Sequence, residues 1–446
     1  MSNFQVSAHI DANKTFLRKR SELEERWDPY FYNQKFNIFL NHLSKNNKLI
    51  RFSYYIESIT NGLDQREFFE SGIPYYKVAN VLHGKLSKEN MQFIRLSNNL
   101  TKNIKLEKNN ILLTRKGSYG RAYRVLENND AIISSEIFNI KLKDSKYAEF
   151  IEIYLNLYFG QIQFERHKIG AIMGSLSQMA VKNIFVPKIE NIPIKKICTL
   201  YQECNVKKQQ KEQEAQNLLD SIDDYLMEEL GIELPEVDNS LESRVFQTTF
   251  SEITGKKFDA FGTKNYLNKM KSRKYEEINL STVAYLEKGI SITSNSITSG
   301  KYPVIAGGQS SPYNHNEYNH IGNVITISAS GAYAGFVWYH STPIFASDCT
   351  KVFSKDEKQI TTPYIYEILK LKQQDIYNLQ VGAGQPHVYS SDLSKILIPL
   401  VDFKKQNKIV AHIQSIREQA KQLQNDAQQQ FEEAKKEIEQ MILGEH

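Results

Sequence analysis

"VDFKKQNKIVAHIQSIREQAKQLQNDAQQQFEEAKKEIEQMILGEH" (residues 401–446) carries the most regular apolar pattern of this chain. No Gly or Pro interrupts that pattern, and a near-heptad spacing of this kind predicts one long helix over residues 402–443. A helix of about 40 residues would be about 60 Å long. The apolar or small side chains that define the stripe are Ile409, Ile413, Ile416, Ala420, Leu423, Ala427, Phe431, Ala434 and Ile438.

The same stripe occurs a second time, 212 residues earlier (409 − 212 = 197). Two of the nine shifted positions are polar, Lys208 and Lys211, and both fall in the polar patch 207–214. Pro193 suits the first turn of a helix and Gly231 suits its end, so a second long helix is predicted over about 193–231. The other seven positions are apolar or small: Ile197, Tyr201, Cys204, Ala215, Leu219, Ile222 and Leu226.

Two long helices that each expose an apolar stripe need a partner for it. We expect the two helices to pair with each other as an antiparallel coiled coil, packed through the stripe residues given above. The alternative is that each helix packs only against its own globular domain.

A glycine turn is also repeated. "ILLTRKGSYGRAY" (111–123) and "ITISASGAYAGFV" (325–337) both read as a β-rich run, then a turn of small residues, then a tyrosine. Gly117 matches Gly331 at an offset of 331 − 117 = 214. The pair predicts a strand followed by a tight turn in each half of the chain.

A second glycine loop follows at nearly the same offset. "IGAIMGSLSQMAVKNIFVPKI" (169–189) matches "VGAGQPHVYSSDLSKILIPL" (381–400), with Pro187 over Pro399 at an offset of 212. We expect this loop to lead directly into the strand-like "ILIPL", whereas a phosphate cradle would lead into a helix. The loop is therefore interpreted as a surface pressed against a broad polymer.

These repeats predict an α+β protein with a pseudo-two-fold internal repeat. Two globular units, 1–188 and 239–400, are each followed by a long helical segment, 189–238 and 401–446.

Several kinds of chemistry are disfavoured by the residues present. The three cysteines form no C-x-x-C pair, which argues against a zinc site or a disulfide framework and fits a reduced cytoplasm. No signal peptide and no apolar run long enough to span a membrane are found. The P-loop, H-E-x-x-H and G-x-S-x-G motifs are also missing. No Pro-Pro dipeptide occurs, so the Asn/Asp-Pro-Pro-aromatic motif of amino-methyltransferases is missing too. We therefore predict no catalytic residue, no metal ligand, no bound cofactor and no membrane contact.

The residues that follow carry a family resemblance. In 382–413 the chain has Gln385-Pro386-His387, Ile398-Pro399-Leu400, and Gln406 followed by Ile409-Val410. This pattern resembles the specificity (S) subunits of Type I restriction–modification systems. Lys405 stands where the family usually has Glu, Val401 replaces a second proline, and the first copy lacks the Gln-Pro-His.

The resemblance implies a non-catalytic DNA-recognition subunit of a prokaryotic, cytoplasmic host-defence system. Each globular unit would be a target recognition domain that reads one half of a bipartite site in double-stranded DNA, and the helices would fix the gap. Two methyltransferase (M) subunits would supply S-adenosylmethionine for adenine N6 methylation, and restriction (R) subunits with ATP and Mg would join them. The alternatives are a Type II (IIB/IIG-like) specificity subunit, a stand-alone nuclease and a coiled-coil scaffold.

Candidate DNA-binding residues lie at the repeated turns and loops. In the first copy they are Arg115, Lys116, Gly117, Ser118, Tyr119 and Arg121, with Ser175, Ser177 and Gln178 as second choices. In the second copy they are Gln309, Ser310, Ser311, Ser330, Gly331, Tyr333, Gln385 and His387. Additional phosphate contacts there are expected from Lys269, Lys271, Arg273 or Lys274.

Overall fold

The computed structural model describes residues 17, 19–23, 26–95, 106–170, 173–233, 245, 247, 249–250, 270–311, 313–382 and 384–445. It divides into unit 1, Met1–Lys211 with Asn425–His446, and unit 2, Glu212–Gln424. Each unit therefore takes in part of both predicted helical segments. The predicted four-part division of the chain stays a prediction.

Besides its parts of the two long helices, unit 1 contains eleven short strands and four short α-helices among its described residues. The strands are β1 (Leu49–Arg51), β2 (Ile56–Asn61), β3 (Ile73–Tyr76), β4 (Val81–Leu82), β5 (Lys85–Leu86), β6 (Gln92–Ile94), β7 (Ile111–Thr114), β8 (Ala122–Arg124), β9 (Ile132–Ile133), β10 (Ile137–Leu142) and β11 (Phe185–Pro187). The helices are α1 (Gln34–Ser44), α2 (Ala148–Asn156), α3 (Tyr158–His167) and α4 (Gln178–Asn183).

The main sheet of unit 1 has the order β2-β10-β7-β8 and is antiparallel throughout. Every side chain of the central strand β7 is buried, because helix α2 covers the sheet and a smaller cluster covers its other side. A second sheet has the order β6-β3-β9, in which β3 and β9 are parallel. Strand β1 pairs with β11 and so joins the two ends of the unit's globular part.

Unit 2 has the same kinds of elements. Its strands are β12 (Ile232–Glu233), β13 (Lys271–Ser272), β14 (Glu277–Asn279), β15 (Ala284–Lys288), β16 (Ser299–Ile305), β17 (Asn314–His315), β18 (Val324–Ser328), β19 (Val337–His340), β20 (Phe345–Ala346), β21 (Cys349–Ser354) and β22 (Leu397–Pro399). The long helix α5 (Ile194–Leu230) follows α4 in the chain. The short helices of unit 2 are α6 (Leu280–Val283), α7 (Thr362–Leu371), α8 (Gln373–Tyr377) and α9 (Ser390–Leu393).

The strand order of unit 2 matches that of unit 1. Its main antiparallel sheet has the order β15-β21-β18-β19, and its second sheet has the order β17-β16-β20 with β16 and β20 parallel. Strand β14 pairs with β22 as β1 pairs with β11. The fold is therefore a mixture of helices and strands in which one topology is used twice.

Both predicted long helices are confirmed to within one residue at each end. They are α5 and α10 (Phe403–Leu443). Pro193 immediately precedes α5, and Gly231, with a φ of 60°, follows it. Gly444, with a φ of 71°, ends α10 in the same way, because glycine adopts the left-handed conformation that stops a helix.

Within unit 1, the first part of α5 contacts the last part of α10. The ring centroids of Tyr201 and Phe431 are 5.4 Å apart, and the Lys211 Nζ donates to the Gln430 Oε1 at 3.1 Å. Lys208, one of the two polar exceptions in the stripe, places its Nζ 4.9 Å from the Phe431 ring centroid. Its stem can therefore cover the stripe while its charge meets an aromatic face.

Within unit 2, the last part of α5 contacts the first part of α10. The rings of Tyr225 and His412 are 4.3 Å apart, and one turn further along Glu229 forms an ion pair with Lys405. These partners run in opposite chain directions. The stripe residues are buried in both helices, apart from Cys204 and Leu219 in α5 and Leu423 in α10, which are half-buried.

Candidate nucleic-acid interface

A tight turn leaves the end of β7 in unit 1; residues 115–121 are called turn 1. The Thr114 N–H donates to the Arg121 carbonyl at 3.0 Å, and the Gly120 N–H donates back to the Thr114 carbonyl at 2.8 Å. The Thr114 hydroxyl adds a bond to the Ser118 carbonyl at 2.7 Å. Gly117 has a φ of 69°, and a Cβ there would meet no atom within 4 Å, so backbone conformation alone requires this glycine.

A second loop docks on turn 1; residues 169–177 are called loop 1. The Gly117 N–H donates to the Gly174 carbonyl at 3.2 Å, and the Leu176 N–H donates to the Arg115 carbonyl at 2.7 Å. Loop 1 is itself closed by paired N–H to carbonyl bonds between Ile169 and Ser175, at 2.9 and 2.8 Å.

Unit 2 repeats this joint; residues 329–336 are called turn 2 and residues 381–389 are called loop 2. The Gly331 N–H donates to the Pro386 carbonyl, and the Val388 N–H donates to the Ala329 carbonyl, both at 3.0 Å. Val381 and His387 close loop 2 with two bonds of 2.9 Å. The sequence offset of 212 thus pairs residues that make the same backbone bonds, such as Ser175 and His387 (387 − 175 = 212).

Unit 2 brings a third loop, residues 306–311, against turn 2. A Cβ on Gly307 would lie 2.6 Å from the Ser330 carbonyl oxygen, so only glycine fits this approach. The Ser311 hydroxyl donates to the Val304 carbonyl at 2.9 Å and thereby holds the loop to β16. Gln309 and Ser310 lie at the exposed end of this loop.

The side chains around turn 1 are cationic. The Arg115 guanidinium lies 5.2 Å from the Phe138 ring centroid, and its buried Nε has no hydrogen-bond partner within the described part of the chain. Lys116 forms an ion pair with Glu136 at 3.4 Å. Arg121 is half-buried and Ser118 is exposed. Burial raises the pKa of the Tyr119 hydroxyl.

More positive charge lies beside loop 1. A cleft of about 410 Å³ is lined by Arg26, Arg51, His167 and Ser177, among others. Burial, followed by the charges of Arg166 and the two arginines of the cleft, lowers the pKa of His167 to about 3. That imidazole is therefore neutral at pH 7. Arg26 forms an ion pair with Asp28 at 2.7 Å, so the positive charge of the cleft comes mainly from Arg51.

The side chains around turn 2 are mostly neutral. Tyr333 is 47% exposed, and the His387 Nδ1 lies 2.8 Å from the Gln385 carbonyl oxygen, which therefore accepts its hydrogen bond. The His387 ring stacks on that of Tyr389, an exposed aromatic residue that the sequence reading missed. The Ser330 hydroxyl donates to the Asp348 carboxylate, another residue that was missed.

Several predicted contact residues have partners inside the protein. Ser177 accepts from the Ala180 N–H at 3.0 Å and caps α4, and the Ser175 hydroxyl donates to the carbonyl of Ile169 at 3.3 Å. The Gln178 Nε2 donates to the side chain of Asn61 at 2.9 Å. DNA contact by these three residues stays a prediction.

The expected run from loop to strand is wrong. Helix α9 lies between loop 2 and β22, and helix α4 lies between loop 1 and β11. Neither has as many as eight residues, and in unit 1 the Ser177 side chain supplies the N-cap. A helix therefore does follow each loop, as in a phosphate cradle, but it is much shorter than the helix of a phosphate cradle.

The basic residues expected to supply phosphate contacts in unit 2 lie at the end of α5. The Arg273 N–H donates to the Gly231 carbonyl at 2.9 Å, and the Lys274 Nζ donates to the Glu228 carbonyl at 2.7 Å. Lys271 lies in β13, and Lys269 lies outside the described residues. These bonds hold the helix end, where cations are favoured.

Neither a membrane-spanning helix nor a cluster of metal ligands is found among the described residues. No helix there combines the length and the apolar character that crossing a bilayer demands. Within the same residues, no group of three His, Cys, Asp or Glu side chains is placed to hold a metal ion.

Comparison with known proteins gives a family for the second half of the chain. The model of the Type I restriction modification DNA specificity domain matches residues 272–433. This chain therefore carries a Type I DNA specificity domain. The match covers turn 2 and loop 2, and the resemblance read from the sequence is confirmed.

Among curated proteins, this chain is similar to a putative type I specificity subunit of Mycoplasma pneumoniae. It is 30% identical over 119 residues, which are 26% of this chain and 31% of the relative. The aligned part thus spans about a third of the relative's length.

A solved structure from a Type I system shares the fold. A chain from a study of complex assembly and conformational transition of the type I R-M system aligns with a TM-score of 0.52 at 13% identity, covering 90% of this chain and 99% of that one. The Type-I restriction-modification S subunit from M. genitalium aligns with a TM-score of 0.45 at 15% identity, covering 90% and 97%.

Proposed function

We propose that this chain is the non-catalytic DNA-specificity subunit of a Type I restriction–modification complex. Unit 1 reads one half of a bipartite site in double-stranded DNA and unit 2 reads the other. The observation that carries the proposal is the repeated joint between a glycine turn and a glycine loop, built from the same backbone bonds in both units.

The joint suits base reading because its bonds are made by the backbone. The side chains of turns 1 and 2 are left to differ, and exposed polar groups on a rigid frame are what groove recognition needs. In unit 1, Arg115, Lys116 and Arg121, together with the arginine-lined cleft beside loop 1, supply charge for phosphates. In unit 2, Gln309, Ser310, Tyr333, Gln385 and His387 supply hydrogen-bonding groups.

The two long helices set the gap between the two half-sites. Each contributes residues to both units, since α5 crosses the boundary at Lys211 and α10 crosses it at Gln424. Helices of 37 and 41 residues are about 60 Å long. This exceeds the roughly 34–36 Å of one turn of DNA. Binding of the second half-site then becomes an intramolecular step.

The chemistry is assigned to partner subunits. Two methyltransferase (M) subunits hold S-adenosylmethionine and receive the target adenine after it leaves the base stack. Restriction (R) subunits with ATP and Mg complete the nuclease. This chain supplies the DNA sequence preference to both activities.

The experiment is co-expression with a cognate methyltransferase subunit, followed by genome-wide mapping of N6-methyladenine. Replacing residues 37–188 with the matching segment of a related specificity subunit should change one half of a bipartite motif. Replacing residues 271–400 should change the other half. A continuous motif, or a change in both halves from one replacement, contradicts the proposal.

A biochemical control separates recognition from catalysis. The purified chain, incubated with DNA and Mg²⁺, should bind in a salt-sensitive, sequence-selective way and leave the DNA uncut. Cleavage by the chain alone would instead identify a nuclease.

A further inference from the structure

In each unit, the first residue of the turn donates its N–H to the backbone carbonyl of an acidic residue that precedes the neighbouring strand. The Arg115 N–H donates to the Glu136 carbonyl at 2.9 Å, and the Ala329 N–H donates to the Asp348 carbonyl at 3.2 Å. Glu136 directly precedes β10, and Asp348 directly precedes β21 (348 − 136 = 212). The two acids therefore occupy the same place in the two units.

In unit 1 this acid is matched by a cation. Lys116 and Glu136 form an ion pair at 3.4 Å, with 49% and 43% of their side chains exposed. The negative charge beside turn 1 is thus compensated within the protein.

In unit 2 the acid has only a hydroxyl partner. Ser330, at the position of Lys116, donates to the Asp348 Oδ2. No ion pair of Asp348 is found among the described residues, and its Oδ1 makes no hydrogen bond with them. A Cβ on Gly307 would lie 3.8 Å from the Oδ2, so this glycine lies directly beside the carboxylate.

An uncompensated carboxylate is unfavourable on a surface that faces the phosphates of DNA. It becomes favourable where it accepts a hydrogen bond from a base. In the major groove only the N4 amino group of cytosine and the N6 amino group of adenine can donate such a bond. The position of Asp348 beside turn 2, among exposed polar side chains, fits that role.

We propose that Asp348 is a specificity-determining residue of unit 2. It accepts a hydrogen bond from the amino group of a cytosine or an adenine at one position of the half-site, and Ser330 positions its carboxylate. This inference rests on the proposed function. In unit 1 the ion pair with Lys116 withdraws the corresponding acid from such a contact.

The test uses the full chain together with its methyltransferase subunit. The variants are Asp348→Ala, which removes the hydrogen-bond acceptor, and Ser330→Ala, which removes the positioning hydroxyl. The matched control is Glu317→Gln, which removes one exposed carboxylate of the same unit outside the three loops. Each protein is titrated with duplexes carrying all four bases at each position of the half-site read by unit 2.

The wild type should prefer the amino-bearing base at one position by roughly 5- to 100-fold. Asp348→Ala should lose most of that preference at that position alone, Ser330→Ala should lose part of it, and Glu317→Gln should lose none. The reciprocal variant Lys116→Ser frees Glu136 and should create a new preference in the other half-site.

The outcomes separate the two proposals. Absence of any bipartite preference in the wild type contradicts the proposed function. A bipartite wild type whose Asp348→Ala variant keeps the same base preferences overturns the role of Asp348 alone. An equal loss of affinity for every duplex shows a structural carboxylate and also overturns it. The same holds for a fall in melting temperature with Asp348→Ala while Ser330→Ala keeps every preference.

Discussion

The contact between the main sheet and its covering helix is a charged pair in unit 1 and an aromatic pair in unit 2. In unit 1, Arg124 of β8 faces Glu152 of α2, with the Arg124 N–H donating to the Glu152 Oε1 at 2.7 Å and the guanidinium 3.6 Å from the Oε2. In unit 2, Tyr339 of β19 packs on Tyr366 of α7 with ring centroids 5.5 Å apart. Arg124 and Tyr339 correspond because each lies opposite the same position of the central strand, β7 or β18.

The difference shows which properties the fold requires. A buried charge pair and a pair of aromatic rings both fill the space between a sheet and its covering helix, and neither is required by the strand order. The turns differ in the same way, since Lys116 and Ser330 occupy matching positions on matching backbones. The shared frame thus fixes shape and main-chain bonding, and leaves charge free to vary.

The largest expected effect is a pH dependence that Glu152 gives to unit 1. Burial raises the pKa of Glu152 to about 7, partly opposed by Arg124. The folded state thus holds a proton that the unfolded state releases near pH 4.5, so this stabilisation is complete below that pH and is lost as the pH rises through 7. The loss amounts to about 3 kcal/mol. Tyr366 does not titrate in this range, since burial raises its pKa further above 10.

Hydrogen exchange measured by mass spectrometry from pH 5 to 8 reports each unit separately, after correction for the intrinsic exchange rate. Compared with Glu152→Gln, wild-type unit 1 should lose protection as the pH rises. The variant should keep only the opposite trend, because the lowered pKa of His167 makes stability rise with pH up to about 6.5. An unchanged trend in Glu152→Gln would show that another group is responsible.

The next effect compares how each unit is tied to its long helix. In unit 2, Arg417 of α10 makes two bonds of 2.6 and 2.7 Å to the buried Glu367 of α7. In unit 1, Gln202 of α5 makes one exposed bond to Glu149 of α2. Arg417→Ala should lower the unfolding free energy of unit 2 by about 2–3 kcal/mol, because it leaves a buried carboxylate unpaired.

Gln202→Ala should lower the stability of unit 1 by less than about 1 kcal/mol. Chemical denaturation of both variants tests the contrast. The double variant Arg417→Met with Glu367→Leu should recover most of the stability lost in Arg417→Ala, and a failure to recover would show that the pair matters for more than charge.

The smallest effect concerns the two turn glycines. Gly117→Ala and Gly331→Ala should each lower stability by about 1 kcal/mol, since an added Cβ meets nothing and only the positive φ is strained. Gly120→Ala should be worse, because its Cβ would lie 3.0 Å from the ring of Phe164. Thermal melting of the three variants checks this order. Unequal losses for Gly117→Ala and Gly331→Ala would break the equivalence of the turns.

The features predicted from the sequence are those that depend on local spacing. The long helices follow from a stripe that continues from Ile409 to Ile438 without a helix breaker, and the turns follow from glycines beside β-rich runs. The offset of 212 also placed Ser175 and His387 at matching positions, and the structure gives them the same bonds.

The features that were missed depend on contacts distant in sequence or on very short elements. Glu136 and Asp348 meet their partners across a strand pair, 20 and 18 residues away along the chain (136 − 116 and 348 − 330). Helices α4 and α9 are too short to show a helical period. The strand order of the sheets likewise carries no local signal.

The core of unit 1 takes residues from the far end of α10. Ile438, Met441 and Ile442 are buried in it, and Asn46 binds the Leu443 carbonyl at 2.9 Å. During synthesis on the ribosome, these residues emerge only after all of unit 2 has been made. Unit 2 therefore has its full complement of residues before unit 1 does, although unit 1 begins first.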